Sequence, residues 1–254
     1  MSVELLLGDC LAILPDIQSN SINMVFLDLP YCGVNNSKKE SAIYCEWNIP
    51  IDLQQLWSHL LRVTTYNAPL FFCCNAKFGA ALIASAPELF RYEYIWKKSK
   101  AVGFLNSGYM RLTNHELIYV FYKNKPNYYV KDFHTKIANP KRTRPKEESD
   151  KGKSIYGVEL GKDAQYKNTG LYEPPLPTSV IEIASKGNSH PTEKPVELVE
   201  FFLKYFTKEG DVVLDPTFGS CPTGEACKKM NRDFIGIELR EDYYNVALAR
   251  LGFN

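Results

Sequence analysis

Four short apolar runs in this chain stop at an acid: VELLLGD at Asp9, INMVFLD at Asp28, VVLD at Asp215 and FIGIE at Glu238. Each is continuous and rich in Val, Ile, Leu and Phe, the character of a strand buried on both faces. Each leads through a turn signal into a helically spaced segment. In DLQQLWSHLLRVT (52–64), Leu53, Leu56, Trp57, Leu60 and Leu61 share one helical face. APLFFCCN (68–75) reads as a strand before the helical KFGAALIASA; YEYIWKK (92–98) and HELIYVFYK (115–123) read as two more strands, and PVELVEFFLKYFT as a further helix. Strand–helix alternation of this kind predicts an α/β fold, a parallel-rich sheet covered on both faces. Ligands in such sheets bind beyond the carboxyl ends of the strands. A lone acid there is an ordinary turn residue. Four on one sheet edge form an acidic rim facing a ligand.

The chain's 254 residues, 45% apolar and 23% charged, suit one sizeable domain or a domain with an insertion. A net charge of +1 argues neither for nor against a polyanionic partner. The seven cysteines include no CxxC pair, and the adjacent Cys73 and Cys74 cannot ligate one metal without strain. Reduced thiols and no metal site are the expectation. The start, MSVELLLGDCLAILPD, carries Glu4 and Asp9 in its apolar stretch and lacks a basic leader, unlike a signal peptide. No apolar run approaches the roughly 20 residues a membrane span needs. The expected location is the cytoplasm, with no membrane partner.

VVLDPTFGSCPTGEAC (212–227) is a strand, a glycine-bearing turn and a helix. Gly219 and Gly224 have P-loop spacing, but Glu225 stands where that motif needs Lys. The dinucleotide pattern GxGxxG is broken by Cys221. An acid-rimmed loop suits a cofactor with hydroxyls and positive charge, and S-adenosylmethionine fits: Glu238 offers an acceptor for ribose hydroxyls, and carboxylates favour its ammonium and sulfonium. An ordinary strand–turn–helix joint is the competing reading.

DLPY (28–31) brings a second motif. Here the chain resembles the amino-group DNA methyltransferases, whose catalytic motif is Asp/Asn/Ser-Pro-Pro-Tyr/Phe after a strand; only Leu29 departs. Their cofactor loop, Asp-Pro-Phe-x-Gly-Ser-Gly-Thr-Thr, is similar to DPTFGSCPT (215–223), which departs at Thr217, Cys221 and Pro222. HPTEKP (190–195) resembles their His-Pro-x-x-Lys-Pro segment, and GDC (8–10) their adenine-side cofactor contact. The motif order, catalytic first and cofactor loop last, is that of the circularly permuted β group. The resemblance implies a Rossmann-like, S-adenosylmethionine-dependent methyltransferase fold: a mostly parallel seven-stranded sheet with helices on both faces and an inserted target-recognition segment. It divides the chain into a catalytic half (1–123), the insertion (124–180) and a cofactor-binding half (181–254).

The residues the resemblance implies are Asp28, Leu29, Pro30 and Tyr31 for catalysis. For the cofactor they are Asp9, Cys10, Lys194, Asp215, Pro216, Thr217, Phe218, Gly219, Ser220 and Glu238, with Lys194 near its carboxylate. An exocyclic amino nitrogen is a poor nucleophile because its lone pair is delocalised into the base. Acceptors on both N–H groups favour a tetrahedral, reactive nitrogen; the Asp28 carboxylate supplies one and the Leu29 carbonyl the other. Pro30 fixes φ, and the Tyr31 ring can stack on the base for about 1–3 kcal/mol. His190 reads as a structural histidine, and His115 and Glu116 as residues that position a loop.

From Lys123 to Lys153 about ten Lys/Arg face about four Asp/Glu, with Tyr128, Tyr129 and Phe133 between them. Such a stretch is a footprint for phosphates and bases or a solvated loop. Lys141, Arg142 and Arg144 are the candidate DNA contacts. The resemblance makes DNA the partner; a homodimer and a cognate restriction endonuclease are compatible with it and not decided by it.

Asp at the first motif position points to adenine N6, since cytosine N4 enzymes more often carry Ser there. A cytosine C5 enzyme needs a nucleophile in Pro-Cys context, which Cys32 lacks. The reading from another class is a DNA-binding homologue whose turnover is impaired by Cys221 and Pro222.

Overall fold

A computed structural model describes residues 1–30, 51–137, 171–185 and 193–253. The elements run β1 (Val3–Leu7), α1 (Cys10–Ile13), β2 (Met24–Leu27), α2 (Leu53–Val63), β3 (Leu70–Cys74), α3 (Ala76–Ser85), β4 (Phe90–Val102), β5 (Thr113–Phe121), β6 (Thr135–Ile137), β7 (Leu171–Glu173), β8 (Val180–Glu182), α4 (Val196–Phe206), β9 (Val212–Asp215), α5 (Pro222–Met230), β10 (Asp233–Glu238) and α6 (Glu241–Leu251).

Among the described residues eight strands form one sheet, in the order β1-β10-β9-β2-β3-β5-β4-β8. The run β1, β10, β9, β2, β3 is parallel throughout. β5 is antiparallel to both β3 and β4, and β8 pairs parallel with β4. This is the mostly parallel α/β sheet expected, with eight strands rather than seven. The outermost, β8, is three residues long, too short to show any periodicity in the sequence. The irregular 123–178 stretch likewise contains β6 and β7, paired antiparallel with each other.

Alternation along the strands sends side chains to two faces. Val25, Leu27, Leu70, Phe72, Phe121, Leu214 and Ile237 join one core cluster with Leu14, Leu56, Trp57, Leu60, Phe78 and Leu82 of the α1–α3 side. On the other face Phe26 and Phe71 pack against Phe202 of α4, with ring centroids 5.8 and 4.4 Å apart. Each fully buried phenyl contributes about 1.5–3 kcal/mol. Helices therefore cover both faces, as the continuous apolar strands require.

α2 starts where it does because Asp52 caps it, its carboxylate accepting from the Gln54 and Gln55 backbone N–H groups. The described chain divides into a unit of Met1–Tyr129 with Thr178–Asn254 and a smaller unit of Val130–Pro177. No described helix is long and apolar enough to cross a membrane.

Candidate active site

The strand order brings the four acids together. Asp9 follows β1, Glu238 ends β10, Asp215 ends β9 and Asp28 follows β2, on four neighbouring parallel strands. Adjacent strands lie about 4.8 Å apart, so the acids line one edge of the sheet.

Each acid has a distinct task. Asp9 caps α1, accepting from Leu11 N–H at 2.9 Å. Glu238 takes the Gly219 N–H at 2.8 Å on one oxygen and the Arg240 N–H at 2.9 Å on the other. A carboxylate has about four lone-pair sites, so Glu238 keeps acceptor capacity for hydroxyl donors. Asp215 is 3% exposed and accepts from Thr223 Oγ1 at 2.6 Å and Thr217 N–H at 3.1 Å. Burial pushes its pKa up to about 7 despite those two bonds. Burial raises Glu238 as well.

Asp28 is held differently. Lys194 Nζ donates to its Oδ2 at 2.5 Å, and the same ammonium lies 3.3 Å from Glu116 Oε2. Lys98 pairs with the other oxygen of Glu116. The result is an alternating chain of charge, Lys98–Glu116–Lys194–Asp28, drawn from β4, β5, the segment before α4 and the end of β2. Lys194 is 4% exposed, whereas 31% of the Asp28 side chain stays open to an incoming group. Burial raises the Asp28 pKa, against the opposing pull of the Lys194 cation. Burial would raise Glu116 too, but Lys194 and Lys98 hold it below the ordinary range.

Lys194, which the resemblance places near the cofactor's carboxylate, here bonds Asp28. Glu116, set aside in the sequence as a loop-positioning residue, is the link between two lysines. The only sequence signal for it is an acid on the HELIYVFYK strand.

The loop expected to bind the cofactor leads into α5. Gly219 has φ +54°, with nothing within 4 Å of where a Cβ would stand, so the backbone faces open space. Thr217 Oγ1 is buried without a hydrogen-bond partner among the described residues, a free group for a ligand. Both observations suit the hydroxyl-bearing cofactor expected here. Cys221 occupies the left-handed region at φ 65°, and Pro222 is the first residue of the helix. Phe218 is 3% exposed and contributes packing, its ring 6.4 Å from that of Tyr244. Pro216, Ser220 and Cys10 are also buried, and burial beside Asp9 pushes the Cys10 thiol up to about 12.

A clamp holds the loop from behind. Ser220 Oγ donates to Glu193 Oε2 at 2.7 Å. Arg250 of α6 donates to Glu193 Oε1 at 2.9 Å, to Glu225 Oε2 at 2.6 Å and to the Ser220 carbonyl at 2.9 Å. Glu193 precedes Lys194, so one short segment reaches both the cofactor loop and the Asp28 end. Leu29 is buried at 2% and Pro30 partly so, consistent with Leu29 acting through its carbonyl. Tyr31, Lys141, Arg142, Arg144 and His190 lie outside the described residues.

Comparison with known proteins adds the family. The N6/N4 methyltransferase profile, described as DNA methylase, matches residues 22–249. The chain is 47% identical over 62 residues to the type II methyltransferase M2.DpnII of Streptococcus pneumoniae, a match spanning 24% of this chain and 23% of that protein. It is 23% identical over 262 residues to M2.LlaDCHI of Lactococcus lactis subsp. cremoris, covering 96% of this chain and 87% of that one. Among solved structures, the PvuII DNA methyltransferase (cytosine-N4-specific) superposes with a TM-score of 0.68 at 14% identity, over 98% of this chain and 86% of that one. At that identity the likeness establishes the fold. The profile match covers most of the chain and both motif-bearing halves, and S-adenosylmethionine is the cofactor of these enzymes. The chain belongs to the N6/N4 amino-group DNA methylase family.

Proposed function

We propose that this protein transfers the methyl group of S-adenosylmethionine to the exocyclic N6 of adenine in DNA, at a specific site. The observation carrying this reading is the recessed yet open Asp28 carboxylate, at the carboxyl end of β2 and on the same sheet edge as the cofactor loop.

S-adenosylmethionine supplies an electrophilic methyl on a cationic sulfur. Asp28 accepts one N–H of the target amino group and the Leu29 carbonyl the other, concentrating the nitrogen's lone pair toward that methyl. Pro30 keeps the carbonyl in place. The Lys194 cation opposes the rise that burial gives the Asp28 pKa and so favours the ionised, accepting carboxylate. Glu238 and the 217–220 backbone would hold the cofactor on the same sheet edge as Asp28, the placement that near-attack geometry requires. A base within a duplex cannot reach so recessed a carboxylate, so the target is extruded or single-stranded. Lys141, Arg142 and Arg144 hold backbone phosphates in this reading.

Cytosine N4 is the second reading, favoured by the likeness to the PvuII enzyme. Modified-base sequencing of DNA from cells expressing the protein decides between them: methylation at adenine supports the proposal, and methylation confined to cytosine N4 replaces it. Unmodified DNA favours a DNA-binding homologue without turnover.

A further inference from the structure

The β4–β5 connection is not used by the site as described, and its surface is unusual. Phe104, Leu105, Tyr109 and Met110 are 66, 101, 77 and 56% exposed. A large apolar cluster rarely stays in solvent without a partner. The connection is also built rather than loose. Asn106 N–H donates to the Gly103 carbonyl at 3.0 Å and Met110 N–H to the Asn106 carbonyl at 2.8 Å. Tyr109 Oη donates to Asn106 Oδ1 at 2.8 Å. Gly103, at φ +97°, makes the entry turn that other residues adopt only under strain.

Its place in the fold matters more. β5 pairs with β3 only as far as Leu117 opposite Cys74, so Thr113–Glu116 overhang the carboxyl edge of the parallel strands. Glu116 touches the Lys194 that holds Asp28. From Glu116 to the Val102–Thr113 pair is three residues, about 10 Å of strand. The apolar tip therefore stands just outward of the catalytic carboxylate. The chain carries no acid from Tyr94 to His115, whereas Lys100 and Arg111 flank the tip.

Resting on the DNA methylase reading, we propose that this loop is a wedge entering duplex DNA beside the target base. Phe104 and Leu105 take the space that the extruded base leaves in the stack, and Lys100 and Arg111 meet the flanking phosphates. Extrusion costs a few kcal/mol of stacking and pairing, which apolar wedge residues offset by occupying the opened step. A second copy of this chain is the competing occupant. One loop with four large side chains falls well short of the roughly 800 Å² per partner of a stable interface.

The test compares the wild type with Phe104→Ala/Leu105→Ala on two substrates. One is a duplex carrying the site found by sequencing methylated cellular DNA; the other is its target strand alone. Methyl incorporation into either base is counted, so the adenine assignment does not enter. The wedge predicts that kcat/KM on the duplex falls about tenfold or more, with the single strand unchanged within about twofold. A target-position 2-aminopurine should also lose the fluorescence rise that the wild type produces in the duplex. Equal losses on both substrates, or no loss on the duplex, overturn the proposal. So does a shift from dimer to monomer in sedimentation with the duplex-to-single-strand ratio unchanged, which assigns the patch to a subunit contact. Methylation confined to cytosine N4 overturns the adenine reading alone and leaves the wedge to be judged on the same duplex-to-single-strand ratio.

Discussion

Lys194 donates to Asp28 at 2.5 Å across 166 residues of chain, and the same ammonium faces Glu116. A carboxylate expected to grip a substrate amino group is thus already held by a buried cation. Lys194 engages Asp28 on one oxygen, Oδ2.

Asp28→Ala should remove methyl transfer while S-adenosylmethionine still binds. Losing a preorganised acceptor in the transition state costs about 2.7–4 kcal/mol, or roughly 10²–10³ in rate. Steady-state kinetics beside calorimetric titration of the cofactor test this; near-normal turnover would remove Asp28 from the mechanism.

Replacing Lys194 with Met should move the acid limb of the kcat/KM profile to higher pH. Burial raises the Asp28 pKa and the Lys194 cation lowers it, so losing the cation leaves the acid protonated over a wider range. Glu116→Gln should move the limb the other way, because the Glu116 charge raises Asp28. Cys73, Lys98 and Asp215 also face this group and stay unchanged in both variants. Identical profiles for both variants would show that the chain of charge is only structural.

Asp215 gives a stability signature. Its pKa rises from 3.8 to about 7 in the folded state, so the native protein binds more protons than the unfolded chain between those values. Its contribution is fully present below about pH 4 and is lost as pH climbs through 7. Urea denaturation at pH 5 and pH 8 should find Asp215→Asn gaining on the wild type with rising pH, by on the order of a few kcal/mol. A pH-independent difference would contradict the burial of a charge at the end of β9.

Cys221 should prefer the smaller of two truncations. At φ 65° a non-glycine residue carries strain of about 1–2 kcal/mol. Cys221→Gly and Cys221→Ala both lose the buried thiol, but only Gly relieves the strain, so it should be the more stable by about 1 kcal/mol. Pro222 is the first residue of α5, where its missing N–H costs the helix nothing. Chemical denaturation ranks the variants, and Ala at or above Gly would refute the strain.

Neutralising Lys141, Arg142 and Arg144 together should flatten the salt dependence of DNA binding. Three lost phosphate contacts reduce the log–log slope by about 2.7 on duplex DNA. Titrations at several salt concentrations measure it, and an unchanged slope would make this stretch a solvated loop.

The strand-terminal acids were legible because each acid follows an apolar run, and parallel strands must end on one edge. At Cys221 the sequence shows only that a cysteine stands where related loops have Gly; the left-handed φ of 65° comes from the structure. The pairing of Lys194 with Asp28 was not legible. It depends on β5 lying beyond β3 and on where Lys194 stands just before α4, which no local pattern encodes. Three-residue strands such as β6, β7 and β8 stayed hidden for a simpler reason: a period of two needs more than three positions to declare itself.

The grip of Arg250 on Glu193, Glu225 and the Ser220 carbonyl makes the last turn of α6 a fastening for the proposed cofactor loop, although it contributes nothing to the sheet. A chain trimmed before Arg250 would lose these ties on the loop together with the buried Leu251, while removing no residue of the sheet. A bulky fusion pressed against Gly252 would strain the same fastening. Engineered versions of this protein are therefore better joined to other domains through a generous spacer, with retained cofactor affinity rather than solubility as the measure of success.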